Sequence, residues 1–318
     1  KINAQNDRYG DKKNRYKRDA FGLNLMGIVY EASGDKNNAF IAYRNAYEVY
    51  TQDYQSHFAN AVPQQLKEDL IRMAKANGFQ EELTNYETLF EMSYDSIAEN
   101  ESELLFFWHN GLGPVKDEWS INFMIEKGEG GGLLFVNEEL GLVFPALSSS
   151  DEDNGLGDLK FVRVAFPKYL ERPPLYNYAK IQTAEDSYPL QLAEPINNIA
   201  FATLNDRMLR ELGTSLLRLA LKQVAEEQAR NEDESIGALV SVINALTEKA
   251  DTRNWQTLPH GISYARIPLN EGKNKVILNM SHIHSNAQDT ISFEFEAKKG
   301  QTLFHHYHSL ESGPLQMN

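Results

Sequence analysis

Between Leu23 and Tyr50, small and large apolar residues recur at helical spacing. Leu23, Met26, Gly27 and Tyr30 fall on one face, Gly34-Asp35 marks a turn, and Ala39, Tyr43 and Ala46 return on a facing side. From Asp7 to about Asn100 the chain reads as helix throughout, punctuated by Gly22, Pro63 and Asn77-Gly78. Leu66, Leu70, Met73 and Ala74, followed by Leu83, Tyr86, Leu89 and Phe90, predict a second helical pair. At Glu103 the period changes. Residues 104–109 are a continuous apolar run, Asn110-Gly111 and Gly113-Pro114 are turn signals, and Trp119, Ile121, Phe123 and Ile125 alternate, which together predict a β-hairpin. Strands are expected over 133–136, 141–144, 160–166 and 178–183, with Arg172-Pro173-Pro174 kept out of any central ladder. After Pro195 the helical period returns, with Leu209, Leu212, Leu216 and Leu219, then Ile236, Leu239, Ile243 and Leu246. Four more strands follow, over 262–267, 275–280, 290–296 and 301–307.

The spacing over 23–50 is that of a tetratricopeptide (TPR) unit, in which Gly27 and Ala39 are small where the two helices approach closely. The second pair lacks those small positions. One good unit and one degenerate unit are fewer than the three or so that a free-standing solenoid needs, so the helical part is expected to lean on the rest of the protein. The order predicts an α+β protein: a TPR-like helical domain over 1–102, then a β-rich, sandwich-like domain over 103–318 with a pair of amphipathic helices inserted at about 195–249.

Composition narrows the function classes. The 318 residues, 42% of them hydrophobic, suffice for a sizeable core, and a net charge of −14 argues against nucleic acid and anionic lipid as partners. The one basic cluster, Lys12, Lys13, Arg15, Lys17 and Arg18, reads as a solvated helix face. With no cysteine, disulfides and zinc–thiolate sites are excluded. No apolar run of eighteen residues occurs. A start at Lys1 rather than Met fits an export signal or lipidated leader removed upstream.

Candidate chemistry is sparse. The glycine-rich run Gly128–Gly132 lacks the Lys-Ser or Lys-Thr of a phosphate loop and precedes a strand, so it reads as a loop; no G-x-S-x-G elbow, H-E-x-x-H helix or calcium loop is present. His282 and His284, two apart, present imidazoles on one strand face; His306 and His308 repeat the spacing on what is expected to be a neighbouring strand, making a weak candidate metal set. No cofactor is expected. The segment Ala250-Asp251-Thr252-Arg253-Asn254-Trp255-Gln256-Thr257-Leu258-Pro259 reads as a buried structural clasp in which Asp251 and Arg253 pair and Trp255 supplies apolar area, the alternative being a recognition patch.

That segment, with Asn110-Gly111-Leu112-Gly113-Pro114-Val115-Lys116, Val164-Ala165-Phe166-Pro167-Lys168-Tyr169, Arg172-Pro173 and the 218–222 helix, in this order after a TPR-like hairpin, resembles an uncharacterised family of bacterial cell-envelope lipoproteins. The resemblance covers most of the chain. It implies an exported protein on the periplasmic face, held to the outer membrane through a lipidated cysteine upstream of Lys1, without an assigned enzymatic activity. It implies a protein or peptide of the envelope as partner, members often being encoded beside lipoproteins similar to activators of peptidoglycan synthases. The expectation is a non-catalytic protein-binding scaffold whose contact surface is the concave face of the first hairpin, lined by Asn24, Tyr30, Asn38 and Tyr47. The alternatives are a ligand- or metal-binding β-domain using the C-terminal histidines and, further off, a glycan hydrolase using paired carboxylates.

Overall fold

A computed structural model describes residues 18–94, 102–127, 133–145, 161–208 and 251–316. The basic cluster apart from Arg18, the Gly128–Gly132 run and the stripes from Leu209 to Leu246 lie outside them. Two units emerge, one of Lys1–Pro114, Glu171–Ala202 and Trp255–Asn318, the other of Val115–Leu170 and Thr203–Asn254. The protein is a mixed α+β chain, helical at its N-terminal end and β-rich towards its C-terminal end.

The first unit opens with α1 (Ala20–Ala32), capped by Asp19 accepting from the Gly22 amide at 2.7 Å, and α2 (Lys36–Val49), capped by Asp35. Gly34 joins them at φ +83°, a conformation that costs glycine little. Gly27 brings the two helices together: a Cβ built there would lie 2.4 Å from Tyr43 Cδ1. Tyr43 is fully buried, and its hydroxyl donates to Glu31 Oε2 at 2.7 Å, so the ring has nowhere to go. Gly27→Ala is therefore expected to destabilise by about 1–3 kcal/mol even after the gain in helix propensity. A urea midpoint equal to that of the wild type would show that the helices part without cost.

α2 runs on through a π turn, Tyr50–Tyr54, and a last turn, Gln55–Phe58, ended by Ala59 at φ 53°. Tyr50, Tyr54 and Phe58 meet edge to face down this extension, with centroids 5.1 and 5.0 Å apart. α3 (Gln64–Ala76) and α4 (Gln80–Phe90) complete the helical layer, as the second apolar pattern predicts.

This layer covers a sheet ordered β12-β1-β9-β8: Thr302–Ser309, Ser102–Asn110, Gly261–Leu269 and Gln191–Glu194. β1 runs parallel to β12 and antiparallel to β9. Its unbroken apolar run now has a cause. Leu105 and Phe107 join the helical core, while Leu104, Phe106 and Trp108 pack into a second core shared with the sheet β11-β10-β6-β7: Gln288–Ala297, Gly272–His282, Tyr176–Gln182 and Ser187–Pro189. A strand covered on both faces has no polar side to alternate.

The second unit is an antiparallel sheet, β4-β3-β2-β5: Leu142–Pro145, Leu133–Asn137, Val115–Lys127 and Phe161–Leu170. Among the described residues, Ile121, Phe123, Phe135, Val164 and Phe166 are buried in it, which accounts for the alternation along β2. The expected hairpin across Asn110–Pro114 is not formed. β1 pairs with β12 and β9, and β2 pairs with β3 and β5, so the turn residues join the two units rather than two paired strands. The division expected at 102/103 also differs from the observed one, because α1–α3 share a single apolar core with Leu105, Phe107, Ala193 and Tyr264. The expected insertion at 195–249 begins with a helix, α5, at residues 196–208; the rest lies outside the described residues. β7 and β8, of three and four residues, are too short to carry a period.

Candidate functional site

A cleft of about 580 Å³ opens in the first unit where β1 ends and β6 and β9 begin. Trp108, Tyr176, Leu190 and Ser263, all buried, and Pro173 and Pro174 line it, and Tyr178 and Leu192 stand at its edge, 45% and 44% exposed. A recess of this size, apolar with a few convergent polar groups, is the common form of a ligand site. A smaller depression of about 180 Å³, beside Thr183, Asn270 and Val276, lies at the opposite ends of β6 and β9.

The Pro-Pro segment builds one wall. Proline supplies no amide for a ladder, and this stretch pairs through isolated bridges, Glu171 to Gln316 and Pro174 to Ser312, rather than as a strand. Arg172 fastens it, donating to the carbonyls of Gly113 at 2.7 Å and Gln256 at 2.6 Å. Gly111, at φ +58°, passes so close that a Cβ there would lie 2.8 Å from Pro174 Cβ.

A polar group closes the cleft on the β9 side. His260 Nε2 lies 3.1 Å from Glu171 Oε1, and Asn197 Nδ2 donates to the same carboxylate oxygen at 3.1 Å. The His260 amide donates to the Asn110 carbonyl at 3.0 Å, and its own carbonyl accepts from the Asn197 amide at 2.9 Å, so the residue is fixed at both ends. With Nε2 on the carboxylate, Nδ1 is the imidazole nitrogen left for a ligand. The arrangement can hold a hydrogen-bonding group against an apolar floor.

Beyond Tyr176 the bonding continues. Its hydroxyl donates to Asp289 Oδ2 at 2.7 Å, and His282 Nε2 lies 2.9 Å from the same oxygen. Burial, then this bond, raises the Tyr176 hydroxyl above its ordinary range, and the bonds from Tyr176 and His282 hold Asp289 below the usual carboxylate range.

The four residues expected to line a hairpin surface do not form one. Asn24 is fully buried, its Nδ2 donating to the Tyr264 hydroxyl of β9 at 2.9 Å, because its face of α1 is the one turned to the sheet. Tyr30 is half-buried against the helical core, and Tyr47 packs on Tyr86 and Phe90 with centroids 6.5 and 5.2 Å away. Asn38 is exposed, with its amide and side chain both donating to Asp35 in the α2 cap.

Nor is the 250–259 segment a buried clasp. Asp251 and Arg253 do pair, at 2.8 Å, and each holds the other's charged form, but both side chains are largely in water and Trp255 is 72% exposed. Its indole is satisfied locally by Thr257 Oγ1 at 2.6 Å, so nothing demands burial.

The predicted histidine set is divided. His282 belongs to the β10 sheet and bonds Asp289, and His284 is exposed, while His306 and His308 lie on β12 in the other sheet, beside His109 of β1. The strand of His282 pairs with β6 and β11, not with β12.

Sequence reasoning singled out Arg172-Pro173-Pro174 as a break but missed Glu171, Asn197 and His260. They lie far apart in the chain and at element ends, where no period marks them. Comparisons with known protein families, with curated proteins and with solved structures give no match.

Proposed function

We propose that the protein is a non-catalytic binding module whose site is the cleft between β1, β6 and β9, and that its ligand is a peptide segment of another protein. The cleft itself carries this reading: an aromatic and proline floor takes an apolar side chain, and the rim of Glu171, His260, Asn110 and Asn177 takes peptide N–H and C=O groups. In the envelope setting that the sequence resemblance implies, the ligand is a segment of another envelope protein. The TPR-like hairpin then acts as a brace on the sheet rather than as the contact surface, since Asn24 is turned to Tyr264.

The test is saturation-transfer NMR with a panel of short apolar peptides. Tyr178→Ala and Leu192→Arg change two exposed cleft residues, so each is expected to weaken binding at least tenfold with an unaltered melting temperature. His260→Ala should weaken it by severalfold. Peptide signals that persist unchanged in Leu192→Arg would place the binding surface elsewhere.

A further inference from the structure

The imidazoles that the fold brings together are not those expected from the strand spacing. β1 and β12 run parallel, with His109 directly opposite His308 and Phe107 opposite His306. Side chains alternate across a strand, so His109, His306 and His308 share one face of the sheet, two from one strand and one from its neighbour. Their ring centroids form a triangle with sides of 4.1, 5.3 and 6.1 Å.

We propose that His109, His306 and His308 form a binding site for a divalent transition-metal ion of the zinc class, with the remaining position open to solvent. Imidazole nitrogens about 2.0–2.1 Å from a tetrahedral ion put ring centroids about 5 Å apart, which is the mean spacing of this triangle. As the rings stand, no three described ligand-type side chains already converge on one point. Closing the triangle needs rotations of His306 and His308, and both are exposed on an edge strand with room to turn.

The net charge of −14 draws divalent cations towards the protein. Three imidazole nitrogens without a thiolate select zinc, nickel or copper over magnesium or calcium.

The experiment uses the full untagged chain, freed of metal by chelator and titrated with Zn²⁺ in a calorimeter, with Co²⁺ absorption as a second readout. One equivalent is expected to bind, with a visible Co²⁺ band of the intensity given by tetrahedral sites. His308→Ala and His306→Ala, both at exposed positions that leave the core intact, are expected to weaken Zn²⁺ at least tenfold and to abolish the band. His284→Ala, in the bend after β10, should change nothing. His109→Gln adds the third ligand; if it does not fold, the two β12 variants still decide. The proposal is overturned if the wild type takes up no stoichiometric zinc, or if His306→Ala and His308→Ala bind it as the wild type does.

Discussion

Arg266→Met is expected to destabilise the protein by about 3–5 kcal/mol, the range for stranding a buried charge, and to lower its melting temperature by roughly 10 °C. The reason is a charge network buried between the helical layer and the sheet. Arg266 of β9 reaches Glu31 of α1 at 2.9 Å and Glu103 of β1 at 2.5 Å, with its Nε 3.1 Å from Asp69 of α3. Arg72 joins from α3, pairing with Glu31 and, at 2.6 Å, with Asp69. Asp69 has no exposed side-chain surface and Arg266 only 10%. Burial pushes Asp69 up to about 6 in spite of Arg266, and burial with the neighbouring Arg266 brings Arg72 down to about 9. At Glu103 burial is opposed by Arg266, the Thr302 hydroxyl and Arg72, which together hold the carboxyl below its ordinary range. Without Arg266, three largely buried carboxylates share one guanidinium. Adding Glu103→Gln to the variant should restore part of the loss by removing one stranded charge. A thermal midpoint unchanged by Arg266→Met would show that the network adds no stability.

The second large effect is one of pH and turns on Glu194, at the end of β8. Its Oε2 accepts from the Tyr54 hydroxyl at 3.0 Å, and burial first, then the nearby Asp19, push its carboxyl up to about 8 from an ordinary 4.5. Between those two values the unfolded chain has released this proton and the folded chain has kept it, so unfolding releases a proton. Stability therefore falls as pH rises from about 4.5 to about 8, at up to ~1.4 kcal/mol per pH unit and on the order of 3 kcal/mol across the window. Glu194→Gln keeps an acceptor for Tyr54 and removes the proton, so it should flatten the curve and leave the variant more stable than the wild type at pH 8. Other groups titrate in the same interval. Asp69 acts with the same sign up to about 6, and His109, held near 4 by burial and by its two histidine neighbours, acts with the opposite sign below about 6.5. The difference between variant and wild type isolates Glu194. Denaturant midpoints measured from pH 5 to 8.5 would reject the assignment if the two curves ran parallel.

Neither network is visible in the chain as written. Glu31, Asp69, Glu103 and Arg266 sit among 45 acidic and 31 basic residues with no spacing to distinguish them. What marks them is burial, and burial follows from which face of α1, α3 and β9 is turned inward. The same is true of the cleft. Glu171, Asn197 and His260 are gathered by two proline-flanked segments and the first turn of α5, each held by backbone bonds to residues distant in sequence. Trp255 shows the reverse. An indole in a polar segment invites a reading of burial, yet a hydroxyl two residues away satisfies it in the open.

Local periodicity was decided by the sequence alone. The helical repeat through Gly27 and Tyr43, the alternation along β2 and the unbroken run of β1 follow from how a helix or a strand presents side chains, and each element stands where its pattern places it. Partner choice belonged to the tertiary structure. Asn110-Gly111 and Gly113-Pro114 carry turn chemistry, but that chemistry serves a hairpin and a change of unit equally well. The pairing of β1 with β12 and β9 gains an apolar cover on both faces that β2, polar on one side, cannot give. That choice set His109 beside His306 and His308 and left His282 on another sheet, because contacts across the chain are settled by the burial of whole faces and not by the spacing of neighbours.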